Sequence, residues 1–430
     1  MNNPRPLLER HRAVLPEWIA LYYHEPISLV DGQGRRVRDA NGNEYLDFFA
    51  GILTNMTGYN VPEITEAIRD QAGKILHTST LYLIDSQIEL AEEIAALSGI
   101  PDARVFFTNS GSEANDAALM LATSYRRSNQ VLAMRYSYHG RTFSTVPVTG
   151  HSTWSPSSLS PFMVNYVHGS YPYRSPFGGL TDEAYIEACA YDLQEILAVA
   201  TAGDVACLLA EPITGVGGFG TPPDGLFGAF NDILKQNDIL FISDEVQTGW
   251  GRTGTHFWGY QAHGLTPDIL TFAKGLGNGL AIGGVVARAD VMNSFNANSI
   301  STFGGNPLAS RGALANLHYM KEHDLQANSA ARGAELRAGV ERFAANFDII
   351  GDVRGKGLMM GVELVKPGGK EPNPDATTAI HEETRARGLL IGKGGLYGNV
   401  LRIAPPMTLT AGEVGEGVEI LEASFKAVAG

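Results

Sequence analysis

Five short apolar runs in the middle of the chain each end in polar residues that could do chemistry together. RVFFT (104–108) runs into NSGSEAND, VLAM (131–134) into RYSYHGRT and VACLLA (205–210) into EPITG. ILFIS (239–243) runs into DEVQTG, and ILTFA (269–273) into KGLGNG. The ends together offer Gly111, Ser112, Tyr138, Glu211, Asp244, Gln247 and Lys274. The chemistry that suits this set is that of a pyridinium aldehyde carrying a phosphate. A helix starting at Gly111-Ser112 would present unpaired N–H groups and the positive end of its dipole to the phosphate. A buried carboxylate such as Asp244 can keep the ring nitrogen protonated, which makes the ring an electron sink. Tyr138 offers a flat face for stacking. Lys274 can form a Schiff base with the aldehyde and then, once displaced, carry a proton between two carbons.

Singly, each of these residues has an ordinary explanation. Lys274 reads as a loop lysine, Asp244 and Glu211 as caps or surface acids, Tyr138 as core, and Gly111-Ser112 as a capped turn. Those explanations do not account for special residues at the equivalent ends of five runs.

The elements that must hold them are legible in the pattern. The five runs are apolar at successive positions, as expected for strands buried between helix layers in a mostly parallel sheet. Ligands of such a sheet sit beyond the carboxyl ends of its strands. Ile64, Ile68 and Ile75, and then Ile88, Ala91, Ile94 and Leu97, mark two amphipathic helices, the second stopped by Gly99 and Pro101. VRDANGNEYLDF (37–48) reads as a hairpin, with Asn41-Gly42 supplying positive φ angles. DIIGDVRGKGLMMGVELV (348–365) and GNVLRIAPP (398–406) look like strands of a smaller α+β unit, and 366–375 is a loop by composition. We expect a large domain over 59–315, and a small one from 316–430 with the N-terminal segment 1–58.

Composition excludes several classes. The chain has 430 residues, more than one core usually holds. Lys and Arg number 32 against 46 Asp and Glu, a net charge of −14 that argues against nucleic acid and anionic membrane surfaces. Only Cys189 and Cys207 are present, too few for a disulfide scaffold or a cysteine-based metal site. The start is broken by Pro4, Pro6 and Pro16 and has no signal-peptide core, and LAIGGVVA (280–287) is too short to span a membrane, so a soluble cytoplasmic protein is expected. GVGGFG (215–220) satisfies a dinucleotide fingerprint, but Pro222 and Pro223 follow where a helix would have to open. No zinc-protease motif occurs, and His256 and His263 lack ligand company, so no metal site is expected.

The segment SDEVQTGWGRTGTHFWGYQAHGLTPDILTFAKGLGNG (243–279) resembles the signature of the class III, ω-type aminotransferases of fold type I, which use pyridoxal 5′-phosphate. TNSGSEAND, YSYHGRT, AEPI, STFGGNP (301–307) and VRGKGLMMG (353–361) occur in that family's order, so the resemblance spans nearly the whole chain. It implies Lys274 as the Schiff-base lysine and Asp244 beside the pyridine nitrogen. It places Gly111 and Ser112 at the phosphate, Tyr138 and Val246 on the two ring faces, and Gln247 near the ring oxygen. Thr302 would reach the phosphate of a neighbouring subunit, which implies a homodimer with shared sites. The family's reaction is a ping-pong exchange between amino acids and keto acids.

Arg402 in NVLRIAPP matches the family arginine that pairs with a substrate carboxylate. Members that use 2-oxoglutarate, such as ornithine and 4-aminobutyrate aminotransferases, carry a glutamate after EPIxG; here that position is Val216. Pyruvate or glyoxylate is therefore the expected acceptor, with alanine, β-alanine or another ω-amino acid as donor. LHTSTLY, HFWGYQAH, STFGGNP and GDVRGKGLMMG look closest to the alanine–glyoxylate aminotransferase 2 branch. Arg141, by contrast, resembles the carboxylate-binding arginine of ornithine and acetylornithine enzymes, and GYNVPEI (58–64) departs from a His-rich family segment. Ile52 and Tyr82 are pocket candidates by position. A 2-oxoglutarate-dependent aminotransferase, or a lyase or epimerase on the same fold, is the alternative within the family; a nucleotide-binding protein built on GVGGFG is the alternative outside it.

Overall fold

The computed structural model describes residues 6–430, so Pro4 lies outside the described residues. Its centre is a seven-stranded sheet whose order across the sheet is Ala103–Thr108, Gly283–Arg288, Ile269–Phe272, Leu240–Asp244, Cys207–Ala210, Gln130–Met134 and Met163–Val167. All strands run parallel except Gly283–Arg288, which is antiparallel to both of its neighbours. The five apolar runs are five of these strands, and their carboxyl ends share one edge. Buried apolar clusters cover both faces, one around Leu208, Phe241 and Leu270 and the other around Ala118, Leu209 and Ile242.

Two strands escape the apolar pattern. Met163–Val167 is an edge strand that stays largely half-exposed, so its sequence is mixed. Gly283–Arg288 opens on two glycines wedged against neighbouring carbonyls, which disguises a strand buried up to Arg288.

A second core gathers Leu46 and Phe48 with residues from Leu336 to Phe425. Its sheet is antiparallel, in the order Ile350–Lys356, Met359–Leu364, Val400–Ile403, Gly392–Gly394. The N-terminal strands Leu29–Gln33, Arg36–Asp39 and Glu44–Asp47 form a separate small sheet, extended by Leu389–Leu390. The expected boundary at 315/316 cuts helix Pro307–Glu322, whose Leu317 and Met320 bury in the large core; Leu325 does too, and the second core begins only at Leu336.

The hairpin forms, with a different turn from the one expected. Gly42 has φ +88, while Asn41 keeps a negative φ; the three-residue loop instead closes on Asp39, whose carboxylate accepts from the N–H groups of Asn41 and Asn43. Helix Pro62–Ala72 ends before Ile75, which is exposed, and Asp85–Leu97 buries Ser86, Leu90 and Ile94 rather than Ile88. Cys189 and Cys207 are free and buried. Among the described residues no helix is long and apolar enough to cross a membrane.

The second core depends on aromatic packing at its far end, where Phe425 meets Phe343 and Phe347 at ring-centre distances of 5.4 and 5.5 Å. Phe425→Ala should cost about 3–5 kcal/mol, read as a lowered urea midpoint.

Candidate active site

A cavity of about 200 Å³ lies at the carboxyl edge of the large sheet, lined by Ser110, Gly111, Ser112, Asn115, Tyr138, His139, Gly140, Glu211, Asp244, Val246, Gln247 and Lys274. Eight of these residues were expected from the sequence. Ser110, Asn115, His139 and Gly140 were not singled out, although His139 and Gly140 stand inside the YHG string that drew attention to Tyr138.

Asp244 ends its strand and is almost wholly buried. Its Oδ2 accepts from Asn115 Nδ2 at 2.7 Å and meets His139 Nδ1 at 2.8 Å, while Oδ1 accepts the N–H of Val246 at 3.1 Å. Asn115 is held in turn by Thr271, whose hydroxyl donates to its Oδ1, and itself donates to the carbonyl of His139. The carboxylate therefore has protein donors in place of water, which is what allows a buried charge to persist.

Lys274 follows strand Ile269–Phe272 and takes a left-handed backbone, φ +38, uncommon for a residue with a side chain. Burial pushes its ammonium pKa below the ordinary lysine value; nearby Asp244 and Glu211 oppose that shift, and Arg402 adds to it. Glu211 accepts the N–H groups of Tyr138 and Gly215, both at 2.8 Å. Burial pushes its carboxyl up to about 7, with Asp244 adding to the rise and His139 opposing it.

The helix Gly111–Arg126 opens at the cavity, capped by Ser110, whose hydroxyl accepts the N–H of Glu113. The N–H groups of Gly111 and Ser112 have no earlier turn to donate to, as at any helix start. Gly140, at φ +134, closes over this start, and a Cβ there would come 2.5 Å from Ser112 Oγ. Tyr138 packs edge-on against Trp154, another residue not singled out in the sequence. Gln247 Oε1 and His139 Nε2 are buried without a hydrogen-bond partner, and a Cβ on Gly215 would collide with the Gln247 amide at 1.9 Å.

These observations fit a flat heteroaromatic ring with a phosphate. There is a helix start for the anion, a buried carboxylate, a buried lysine, and an orphaned amide oxygen able to face a polar ring substituent.

Five expected residues lie outside the cavity lining. Arg402, buried on strand Val400–Ile403, makes three contacts at 3.3 Å, all to neutral oxygens: the carbonyls of Gly215 and Lys393 and the hydroxyl of Tyr22. Its face lies over Phe49 and Phe219. Arg141 is exposed, with its guanidinium over Trp18. Tyr82 and Thr302 are exposed on this chain and line no part of the cavity. Ile52 is exposed on a left-handed turn in which Ala50, Gly51, Ile52 and Leu53 all have φ between +50 and +65. Such a turn costs about 1–2 kcal/mol per residue with a side chain. It is held by Asp47, which accepts the N–H groups of Phe49 and Ala50 and the hydroxyl of Tyr59.

The GVGGFG segment opens no helix; the next one begins at Leu226. Away from the cavity, Glu89, Glu93 and His318 converge on the surface, but Lys321 and Arg311 already pair with the two acids.

Known proteins resemble this chain in sequence and in fold. The family model described as "Aminotransferase class-III" matches residues 21–425. "Alanine–glyoxylate aminotransferase 2 homolog 2, mitochondrial" of Arabidopsis thaliana is 38% identical over 424 residues, covering 97% of this chain and 87% of the relative. An amine transaminase from an uncultivated Pseudomonas species, solved with pyridoxal phosphate bound, superposes with a TM-score of 0.89 at 28% identity, covering 94% of this chain and 96% of that one. A phospholyase from Arthrobacter, in complex with phosphoethanolamine, gives 0.90 at 32%, covering 98% and 100%.

Glu211 gives a signed expectation. From its ordinary value of 4.5 up to about 7, the unfolded chain ionises this carboxyl while the folded chain keeps it protonated. The ligand-free protein should lose stability as pH rises through that window. Glu211→Gln should therefore compare better with the unaltered chain at pH 8 than at pH 5, as read by urea midpoints at both.

Proposed function

Starting from the fact that this chain belongs to the class III aminotransferases, pyridoxal-5′-phosphate enzymes that exchange an amino group between amino and keto acids, we propose that its acceptor is a small keto acid such as pyruvate or glyoxylate. Its donor is alanine, β-alanine or another ω-amino acid. The observation that carries this reading is Arg402, a buried guanidinium whose three hydrogen-bond partners are all neutral oxygens, so that its charge is left for a carboxylate. Val216 stands next to Gly215, which Arg402 touches, so no acid at that position competes for the arginine. The name of the Arabidopsis relative, an alanine–glyoxylate aminotransferase, supports the same acceptor class.

The cofactor supplies an aldehyde carbon that takes up the amino nitrogen and a pyridinium ring that draws off the electron pair released beside it. The chain's own residues do the rest. Lys274 would hold the aldehyde carbon, and its free amine, inclined to the neutral form by burial, would carry the proton between the two carbons. Asp244, fixed by His139 and Asn115, would keep the ring nitrogen protonated. Gly111 and Ser112 would hold the phosphate, Tyr138 and Val246 would cover the ring faces, and the Gln247 amide would meet the ring oxygen. Glu211 ties the backbones beneath Tyr138 and Gly215.

Thr302, Tyr82 and Ile52 belong in this reading to a homodimer. Exposed Ile75, Leu76, Leu81, Leu83, Ile300 and Phe303 support an apolar interface around them, and Thr302 would reach the partner's phosphate. Sedimentation of the holoenzyme should give twice the chain mass.

Lys274→Ala should abolish transfer and leave no cofactor fixed by borohydride; a yellow, fully active variant would falsify the assignment. In steady-state assays pyruvate or glyoxylate should exceed 2-oxoglutarate in kcat/KM, and Val216→Glu should move that ratio toward 2-oxoglutarate by about tenfold. Keto acid consumed in step with amino product separates transfer from elimination or racemisation.

A further inference from the structure

Two motifs remain without a task in this site: GVGGFG (215–220), which opens no helix, and VRGKG (353–357), which lies outside the cavity. The fold brings them together. Arg354, on strand Ile350–Lys356 and only 8% exposed, uses every nitrogen of its guanidinium. Nε and Nη2 both donate to the carbonyl of Gly218, at 3.0 and 2.7 Å. Nη2 also donates to the Tyr171 hydroxyl at 2.6 Å, and Nη1 to Asp352 and Glu363, each at 2.7 Å. Glu363 is wholly buried and accepts further bonds from Tyr171, Arg174 and Asn399.

From Gly218 the contacts continue toward the carboxylate site. The N–H of Gly218 donates to the carbonyl of Gly215 at 3.2 Å, and that same carbonyl accepts Arg402 Nη1 at 3.3 Å. Gly215 also donates to Glu211 and leaves only enough room for the Gln247 amide above its Cα. The Val216 carbonyl accepts the N–H of Gly395 at 3.0 Å. The turn is thus pinned from both sides, with little freedom to slide. The outer groove beside Arg354, about 590 Å³, offers no competing task, because Arg354 pairs with Asp352 and Lys356 with Asp224.

We propose that Arg354 is a positioning residue for carboxylate recognition: with Glu363 and Tyr171 it fixes Gly218, and through Gly215 it sets the guanidinium of Arg402. GVGGFG is on this view a strut between two arginines rather than a phosphate loop. The proposal rests on the reading of Arg402 as the carboxylate site.

The test measures propionate, a carboxylate without an amino group, binding to the holoenzyme by titration calorimetry. Arg402→Lys should weaken binding by about twentyfold and Arg354→Lys by about fivefold, while the double variant should bind no more weakly than Arg402→Lys alone. Tyr171→Phe, which removes one hydroxyl that accepts from Arg354 and donates to Glu363, should weaken binding by about twofold and carries the test if Arg354→Lys does not fold. Hydroxylamine has no carboxylate, so its reaction with the cofactor aldehyde should keep its rate in Arg354→Lys and Tyr171→Phe. Unchanged propionate affinity in both variants, a multiplicative double variant, or a parallel fall in the hydroxylamine rate would overturn the positioning role. Unchanged affinity in Arg402→Lys would instead overturn the carboxylate site itself.

Discussion

A carboxylate can stay charged inside a protein only if other donors replace the water it has lost, and Asp244 is supplied with them from three elements. Asn115 comes from the helix that begins at the cavity, His139 from the loop after Gln130–Met134, two strands away, and the Val246 N–H from the turn that Asp244 itself opens. Thr271 then steadies Asn115 from the next strand. Removing any one of these elements would leave either the acid or one of its partners buried without a match. The parallel order of the strands is what makes the arrangement possible, because it brings their carboxyl ends, and the polar residues just beyond them, to one edge.

Around that fixed centre the polar groups oppose one another electrostatically. Lys274 is driven toward its neutral form by burial and by Arg402, while Asp244 and Glu211 pull it the other way. Glu211 is itself driven toward its protonated form. A lysine that must both bond to carbon and carry protons benefits from being easily neutralised, and burial alone would do this at the expense of stability. The acids moderate that expense without abolishing the shift.

Arg402, the proposed carboxylate site, ties the two cores together. It lies on a strand of the smaller sheet yet reaches a loop of the larger one, so its guanidinium joins two separately packed bodies. This explains the weight of polar machinery where they meet. A fully satisfied buried arginine, Arg354, reaches the same loop from a neighbouring part of the same small sheet. The left-handed turn at Ala50–Leu53 is a second costly feature close to this junction, held by a buried aspartate. Strained or heavily polar features of this kind persist where the surrounding structure over-determines them.

The sequence by itself determined the parallel strands, the residues at their ends and hence the kind of chemistry, because buried strands must be apolar while the loops at their ends are free to be polar. Lys274, Asp244, Glu211, Gly111 and Ser112 were legible for that reason, and the family signature around Lys274 sharpened their roles. His139, Asn115 and Trp154 were not, since the side chains of the first two meet partners 24 to 156 positions away. Met163–Val167 and the opening of Gly283–Arg288 were hidden by edge exposure and by glycine. Only the tertiary structure decided that Arg402 stands without an acid beside it, that Tyr82 and Thr302 lie outside this chain's own cavity, and that GVGGFG joins two arginines instead of opening a helix. Those are matters of which distant groups meet, and a periodic pattern records how a segment is buried but not what it is buried against.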